Sequence, residues 1–192
     1  MIPRIHLIPG INITRYYDSI GVMGDYFRKM GFVVIDHPKF IPFGLSFALN
    51  RGFVREIANT VHAADVLIGH SNGAFIANEV SKLTKVKGVV FINGAIERTA
   101  KPGYVDFRHN YYSKGDDTLW WTKFTPDWGR AGKVGLKTHD PRDTNISLTA
   151  QSPAVRGHAD IFDGKHAHFW APRIGNKILE ACGVTITKNI IY

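Results

Sequence analysis

The chain has 192 residues, of which 44% are hydrophobic and 21% are charged. This composition excludes a disordered chain, and the length suits one domain with its own core. The 24 Lys and Arg residues outnumber the 16 Asp and Glu, which gives a net charge of +8, but the basic residues are scattered. We therefore expect no primary role in nucleic-acid binding, and an acidic surface is a secondary candidate partner.

Three further features limit the class of protein. Cys182 is the single cysteine, so an internal disulfide is excluded. No apolar run reaches about 18 residues, so we expect no transmembrane segment. Residues 1–10 lack the long apolar core and cleavage site of a signal peptide and instead predict a strand, which favours a cytoplasmic location while leaving other export routes open.

Apolar runs alternate along the chain with apolar residues at helical spacing. In chain order the pattern predicts a strand over 5–9, a helix over 20–30, a strand over 32–36, a Pro-rich loop over 37–44, a helix around 54–61, a strand over 64–69, a helix over 72–83, strands over 86–93, 105–113 and 146–150, and a last helix over 169–182. This alternation predicts a single α/β domain over 1–192, a three-layer α/β/α sandwich with a mainly parallel sheet of about six strands. Functional groups then belong beyond the carboxyl ends of the strands.

A G-x-S-x-G pattern, Gly69-His70-Ser71-Asn72-Gly73, lies between the third predicted strand and a helix. A serine on such a tight strand-to-helix turn is exposed, and small residues on either side let neighbouring backbone approach. The pattern predicts that Ser71 is a nucleophile, and the alternative is a plain glycine-rich turn. His70 is expected to point away from the exposed face, towards packing or a supporting hydrogen bond.

The Gly69–Gly73 segment resembles the nucleophile elbow of the α/β-hydrolase superfamily, and Leu7-Ile8-Pro9-Gly10-Ile11-Asn12 resembles its oxyanion loop. Pro9 stands where the family commonly has histidine. The resemblance covers about residues 4–182 in element order and implies a minimal, lidless, serine esterase-like or lipase-like member without a cofactor. It also implies an oxyanion hole made by the backbone N–H groups of Asn72 and of Ile11 or Asn12.

The family order of nucleophile, acid and base directs the search for the acid to the polar turn after the fifth predicted strand. Asp116 and Asp117 both lie there, and an apolar residue follows three positions after Asp116. This spacing, which is common in the family, favours Asp116 as the acid. Asp117 is the alternative, and both could instead be turn or capping residues.

For the base, His158 in Arg156-Gly157-His158 resembles the family's histidine loop. The rivals are His166 and His168, which we place just before the last helix. A metal site is a further alternative, because His158, Asp160, His166 and His168 are all ligand-type residues within eleven positions. The sequence lacks a His-Glu-x-x-His helix and a cysteine pair, so no metal is expected.

Aromatic residues follow the predicted acid. Trp120 and Trp121, together with Asn12, are candidate substrate-binding residues, although ordinary packing explains the aromatics equally well. Residues 125–145 are rich in Gly, Pro and charge and predict a mobile loop at the entrance. The expected reaction is hydrolysis of a small-molecule or lipid-like ester through an acyl-enzyme. Thioesterase, amidase or peptidase chemistry on the same triad and a non-catalytic binding protein are the alternatives.

Overall fold

The computed structural model describes residues 2–11, 19–39, 41–119, 128–137 and 139–185. Six strands within these ranges form one sheet in the order β2-β1-β3-β4-β5-β6, and every neighbouring pair is parallel. This arrangement confirms the predicted α/β architecture. No helix in the described part of the chain is both long enough and apolar enough to cross a membrane.

The strands and helices alternate from β1 to α3. The strands are β1 Arg4–Ile8, β2 Val33–Asp36, β3 Val66–His70, β4 Gly88–Ile92, β5 Phe107–Tyr112 and β6 Asp143–Ser147. The helices are α1 Gly21–Lys29, α2 Ser46–Ala58, α3 Asn72–Leu83, α4 Ala131–Val134, α5 Leu148–Gln151 and α6 Gly164–Ala181, with 3₁₀ turns at Phe43–Leu45 and Asp160–Phe162.

Helices cover both faces of the sheet, so its central strands are buried throughout. All five residues of β3 and all five of β4 are buried. Along β3, Ile68 packs in a cluster with residues of α1 and α6, whereas Leu67 packs in a second cluster with residues of α2 and α3. Burial on both faces explains why the sequence of these strands is continuously apolar rather than alternating.

The last strand and the last helix both begin earlier than the sequence pattern predicts. β6 covers Asp143–Ser147, so only the first two residues of the predicted segment 146–150 belong to the strand, because the Ser147 side chain accepts a hydrogen bond from Ala150 N–H and caps α5. A buried ion pair fixes this edge strand, since Arg108 on β5 contacts the Asp143 carboxylate at 2.5 Å through both Nε and Nη2. The apolar face of α6 already includes Ala167, so the helix begins at Gly164 and not at 169.

Two turns at the carboxyl ends of central strands have unusual backbone conformations. Ser71 (φ 55°) and Asn93 (φ 44°) are the non-glycine residues with positive φ in the described part of the chain. They directly follow β3 and β4, which are neighbours in the sheet. Positive φ is costly for residues with a side chain and is concentrated at functional sites. These two turns are therefore candidate parts of a functional site.

Candidate active site

Ser71 occupies the turn between β3 and α3, with φ 55° and ψ −122°. Its backbone is held on both sides. The Ser71 N–H donates to the Ile92 carbonyl oxygen at 3.1 Å, and its own carbonyl oxygen accepts from Ala74 N–H and Ala95 N–H, each at 3.0 Å. The Ser71 residue is half-buried. These bonds keep the serine in its strained conformation at the carboxyl end of the sheet.

The glycines of the motif allow backbone segments to meet closely around the serine. A Cβ atom on Gly69 would lie 2.2 Å from the Gly73 carbonyl oxygen, and a Cβ on Gly73 would lie 2.1 Å from the Ile8 carbonyl oxygen. Gly10 lies on the other side, where a Cβ would meet Ser71 Cβ at 3.0 Å and Ser71 Oγ at 3.5 Å. The loop after β1 therefore passes so close to the serine side chain that only glycine fits without crowding it.

Asn72 is the first residue of α3, so its backbone N–H has no acceptor within the helix. Its buried side chain forms a reciprocal amide pair with Asn50: Asn50 Nδ2 donates to Asn72 Oδ1 at 2.8 Å, and Asn72 Nδ2 donates to Asn50 Oδ1 at 2.9 Å. Trp128 Nε1 also donates to Asn72 Oδ1, at 3.0 Å. Three bonds thus fix the start of the helix behind Ser71.

The structure brings Asp116 and His158 together. His158 Nδ1 lies 2.7 Å from Asp116 Oδ2. Asp116 is fully buried in the turn after β5, where its N–H donates to the Ser113 carbonyl oxygen and its Oδ1 accepts from Leu119 N–H at 3.4 Å. Because a carboxylate only accepts, His158 Nδ1 donates in this bond, and in the neutral ring Nε2 is then the acceptor.

The alternative acid and bases lie elsewhere. Asp117 has a side chain that is 90% exposed and is paired with Lys133. His166 Nδ1 bonds the Asp160 carbonyl oxygen, and His168 is exposed against Tyr26. Both histidines belong to the first turns of α6, so placing them before the last helix was wrong.

Two residues that the sequence did not single out as functional support the site, Asn93 at the histidine loop and Asn50 at the start of α3. Asn93 Nδ2 donates to the His158 carbonyl oxygen at 2.9 Å, and Asn50 holds Asn72 as described above. His70 Nε2 bonds the same His158 oxygen at 3.0 Å, which confirms the expected supporting hydrogen bond. An asparagine directly after a buried strand was the available signal for Asn93, whereas nothing in the helical pattern marked Asn50.

A small apolar cluster adjoins the serine. Ala95, Leu119 and Trp128 are buried together, with Ile11 and Phe75 packed against them. The Ala95 N–H donates to the Ser71 carbonyl oxygen, so this cluster borders the turn that contains Ser71. The candidate substrate residues Asn12, Trp120 and Trp121 lie outside the described residues.

The segment 125–145, which the sequence predicts as a loop, includes regular structure where it is described. It contains α4 and the start of β6. Gly129 and Gly132 pack against the chain after β4, where added Cβ atoms would lie 2.4 Å from Glu97 Cα and 2.2 Å from the Asn93 carbonyl carbon. Close backbone packing of this kind explains why glycine occurs at these two positions.

The residues considered for a metal have other partners. His158 is bonded to Asp116, and the Asp160 carboxylate accepts from the backbone N–H groups of Arg156 and Gly157 at 3.0 Å and 2.6 Å. Within the described ranges, no three His, Cys, Asp or Glu side chains converge as metal ligands.

Similar solved structures share this fold over nearly the whole chain. Alpha/beta hydrolase domain-containing protein 10 from mouse superposes with a TM-score of 0.62 at 11% identity, covering 94% of this chain and 91% of that one. A pyrethroid hydrolase from Sphingobium faniae gives 0.61 at 13% identity, with 93% and 98% covered. The esterase domain of a Rhodothermus marinus protein gives 0.59 at 14% identity, with 92% and 85% covered.

No protein-family model and no curated protein matches the chain by sequence. The similarity is therefore one of three-dimensional structure, and these structural neighbours are hydrolases and esterases. The chain has the α/β-hydrolase fold.

Proposed function

We propose that this protein is a serine hydrolase that cleaves a carboxylic ester, with Ser71 as nucleophile, His158 as general base and Asp116 as the acid that orients the base. The observation that carries the proposal is the 2.7 Å bond between Asp116 Oδ2 and His158 Nδ1. This bond joins a buried carboxylate to a histidine at the carboxyl end of the sheet. Ser71, with its positive φ, lies at the same end. This combination supports nucleophilic catalysis better than a glycine-rich turn alone.

The tautomer of His158 suits the role of a base. With Nδ1–H donated to Asp116, Nε2 accepts the Ser71 proton as Oγ attacks the acyl carbonyl carbon. His158 then returns this proton to the leaving alcohol, which gives an acyl-enzyme. A water molecule, deprotonated by His158, attacks the ester carbon, and the acid leaves as Ser71 regains its proton. Asp116 stabilises the imidazolium formed in each half-reaction.

The developing oxyanion needs donors that face the attacked carbonyl. The Asn72 N–H at the start of α3 is one candidate, supported by the positive end of the helix dipole. The Ile11 N–H is the second, because the adjoining Gly10 borders Ser71 Oγ. Losing one such donor costs on the order of 3 kcal/mol in the barrier.

The substrate that we propose is an ester with an apolar acyl group. The cluster formed by Ala95, Leu119 and Trp128 with Ile11 and Phe75 borders the nucleophile turn, where an acyl chain would lose water on binding. The pyrethroid hydrolase and the esterase domain among the structural neighbours agree with ester chemistry.

A p-nitrophenyl ester series of increasing acyl length tests this function. We expect wild type to hydrolyse the esters, and Ser71→Ala, Asp116→Asn and His158→Ala each to lose most of the activity. A fluorophosphonate probe should modify wild type once and leave Ser71→Ala unmodified. Folded wild type that neither hydrolyses esters nor reacts with the probe would favour the non-catalytic alternative.

A further inference from the structure

The carbonyl oxygen of His158 is bound by two side-chain donors from neighbouring strands. His70 Nε2 lies 3.0 Å from it at the end of β3, and Asn93 Nδ2 lies 2.9 Å from it directly after β4. Asn93 Nδ2 is also 3.4 Å from the Gly157 carbonyl oxygen. We propose that His70 and Asn93 are positioning residues that hold the peptide of His158 so that its ring stays aligned between Asp116 and Ser71. This inference rests on the proposed function.

The protonation state of His70 is fixed by its surroundings. A carbonyl oxygen only accepts, so His70 must donate from Nε2. Its Nδ1 is buried and has no hydrogen-bond partner among the described residues. Burial, followed by the nearby His158 ring, holds the pKa of His70 well below its ordinary value, so His70 stays neutral and keeps this single donor.

The rings reinforce the backbone contact. The His70 ring centroid lies 4.6 Å from that of His158 and 4.7 Å from that of Phe162, which packs edge-on. His70 therefore lies between the histidine loop and the 3₁₀ turn that follows it. A side chain in this place supports both the carbonyl and the ring of His158.

Asp160 also stabilises the histidine loop, residues 156–158. The carboxylate of Asp160 accepts from the N–H groups of Arg156 and Gly157. These bonds shape the loop, but they connect it only to itself. The contacts from His70 and Asn93 connect it to the two strands next to Ser71, so they set the position of His158 relative to the nucleophile.

The conformation of Asn93 agrees with a dedicated role. Its φ of 44° is unfavourable for most side chains and is tolerated best by asparagine and aspartate after glycine. Asn93 is fully buried, and its N–H donates to the Tyr111 carbonyl oxygen at 2.9 Å. The fold therefore maintains a strained residue whose amide points at the His158 carbonyl.

The test compares variants that differ in donor capacity. His70→Leu removes the donor and keeps much of the volume, whereas His70→Gln keeps an N–H donor. Asn93→Asp replaces the donor by an acceptor of nearly the same shape. His109→Leu is the matched control, because His109 is a buried histidine on β5 that packs against Phe107, away from the site.

Steady-state kinetics are measured per active site, with the active fraction titrated by a fluorophosphonate. We expect kcat to fall by about tenfold or more in His70→Leu and Asn93→Asp because misplacement of a catalytic group has effects of this order, with KM within about twofold. His70→Gln should recover most of kcat, and His109→Leu should keep it. A purely structural role would lower the melting temperature or the active fraction while kcat per site stays at the wild-type value, which would overturn the inference.

A double-mutant cycle on the probe reaction gives a second, independent readout. If His70 acts through the alignment of His158, its loss matters little once Asp116→Asn has already released the ring, so the two effects are far from additive. Full additivity would contradict the inference. If His70→Leu does not fold, Asn93→Asp and His70→Gln carry the same comparison. Wild type that fails to react at Ser71 would instead refute the proposed function.

Discussion

The Asp116 carboxylate and the His158 imidazole meet at 2.7 Å although they are 42 positions apart in the chain. Asp116 follows β5, whereas His158 lies in the loop before α6, so the fold alone brings them together. The neighbouring Asp117 is exposed and paired with Lys133. Two adjacent aspartates thus have opposite environments, and this contrast gives the first prediction.

Replacing each aspartate by asparagine separates their roles. Asp116→Asn removes the acceptor that fixes the His158 tautomer and should lower kcat by about 10³- to 10⁴-fold, as in other triads. Asp117→Asn loses only an exposed ion pair, so kcat should change by less than about twofold. Ester hydrolysis per titrated site measures both. Equal activity in the two variants would show that Asp116 is not the acid.

The close backbone contacts predict opposite outcomes for two glycine substitutions. Gly73→Ala places a Cβ 2.1 Å from the Ile8 carbonyl oxygen, which requires backbone movement and should cost about 3 kcal/mol or more of unfolding free energy. The Cβ added by Gly52→Ala, within α2, meets no atom within 4 Å. This substitution should raise the free energy of unfolding by about 1 kcal/mol because alanine has the higher helix propensity. Urea unfolding measures both, and a wild-type midpoint for Gly73→Ala would contradict the described packing.

The amide pair of Asn50 and Asn72, next to the Ser71 turn, predicts an effect on stability. Asn50→Leu leaves the buried Asn72 Nδ2 without its acceptor and should lower the free energy of unfolding by about 1–3 kcal/mol. Trp128 Nε1 donates to Asn72 Oδ1, so the Asn72 amide cannot simply turn over to compensate. Asn59→Leu, at the exposed end of α2, is the control. Identical urea midpoints for the two variants would contradict this role of Asn50.

Buried and half-buried histidines predict that acid destabilises the fold. Burial lowers the pKa of His37 and of His109 from 6.5 to about 4 and lowers that of His6 and His70 as well. Between pH 6.5 and about 4 the unfolded chain therefore binds protons that the folded chain does not, so the free energy of unfolding falls as the pH falls.

A single substitution isolates one of these contributions. A histidine with the pKa of His109 makes the free energy of unfolding about 2 kcal/mol lower at pH 5 than at neutral pH. His109→Leu should therefore reduce the loss of stability between pH 7 and pH 5 by about this amount. Urea titrations at the two pH values give the comparison, and an unchanged loss in His109→Leu would contradict it.

The sequence predicted the elements whose pattern is strong. The helix over 72–83 agrees with α3, Asn72–Leu83, because the strand-to-helix turn marks its start and an apolar stripe continues to its end. The boundaries of β6 and α6 were less accurate. The β6 pattern continues into the short helix that Ser147 caps, and α6 opens with a polar turn in which only Ala167 marks the buried face.

The contacts around the histidine loop could not be predicted, because they connect distant parts of the chain through polar atoms without periodicity. Asn93 is one asparagine among several until its amide is seen to bond the His158 carbonyl. The pairing of Asn50 with Asn72 likewise depends on how α2 lies beside α3. The choice of Asp116 over Asp117 rested on family spacing, and the burial of one carboxylate and exposure of the other are tertiary properties.

The central claim is that Ser71 is a nucleophile activated by His158. Intact-mass spectrometry after incubation with a fluorophosphonate tests it most directly, with peptide mapping to locate the adduct. The account predicts one adduct on Ser71 in wild type, none in Ser71→Ala, and strongly slowed formation in His158→Ala. A folded wild-type protein that stays unmodified, or that reacts at another residue, would contradict it.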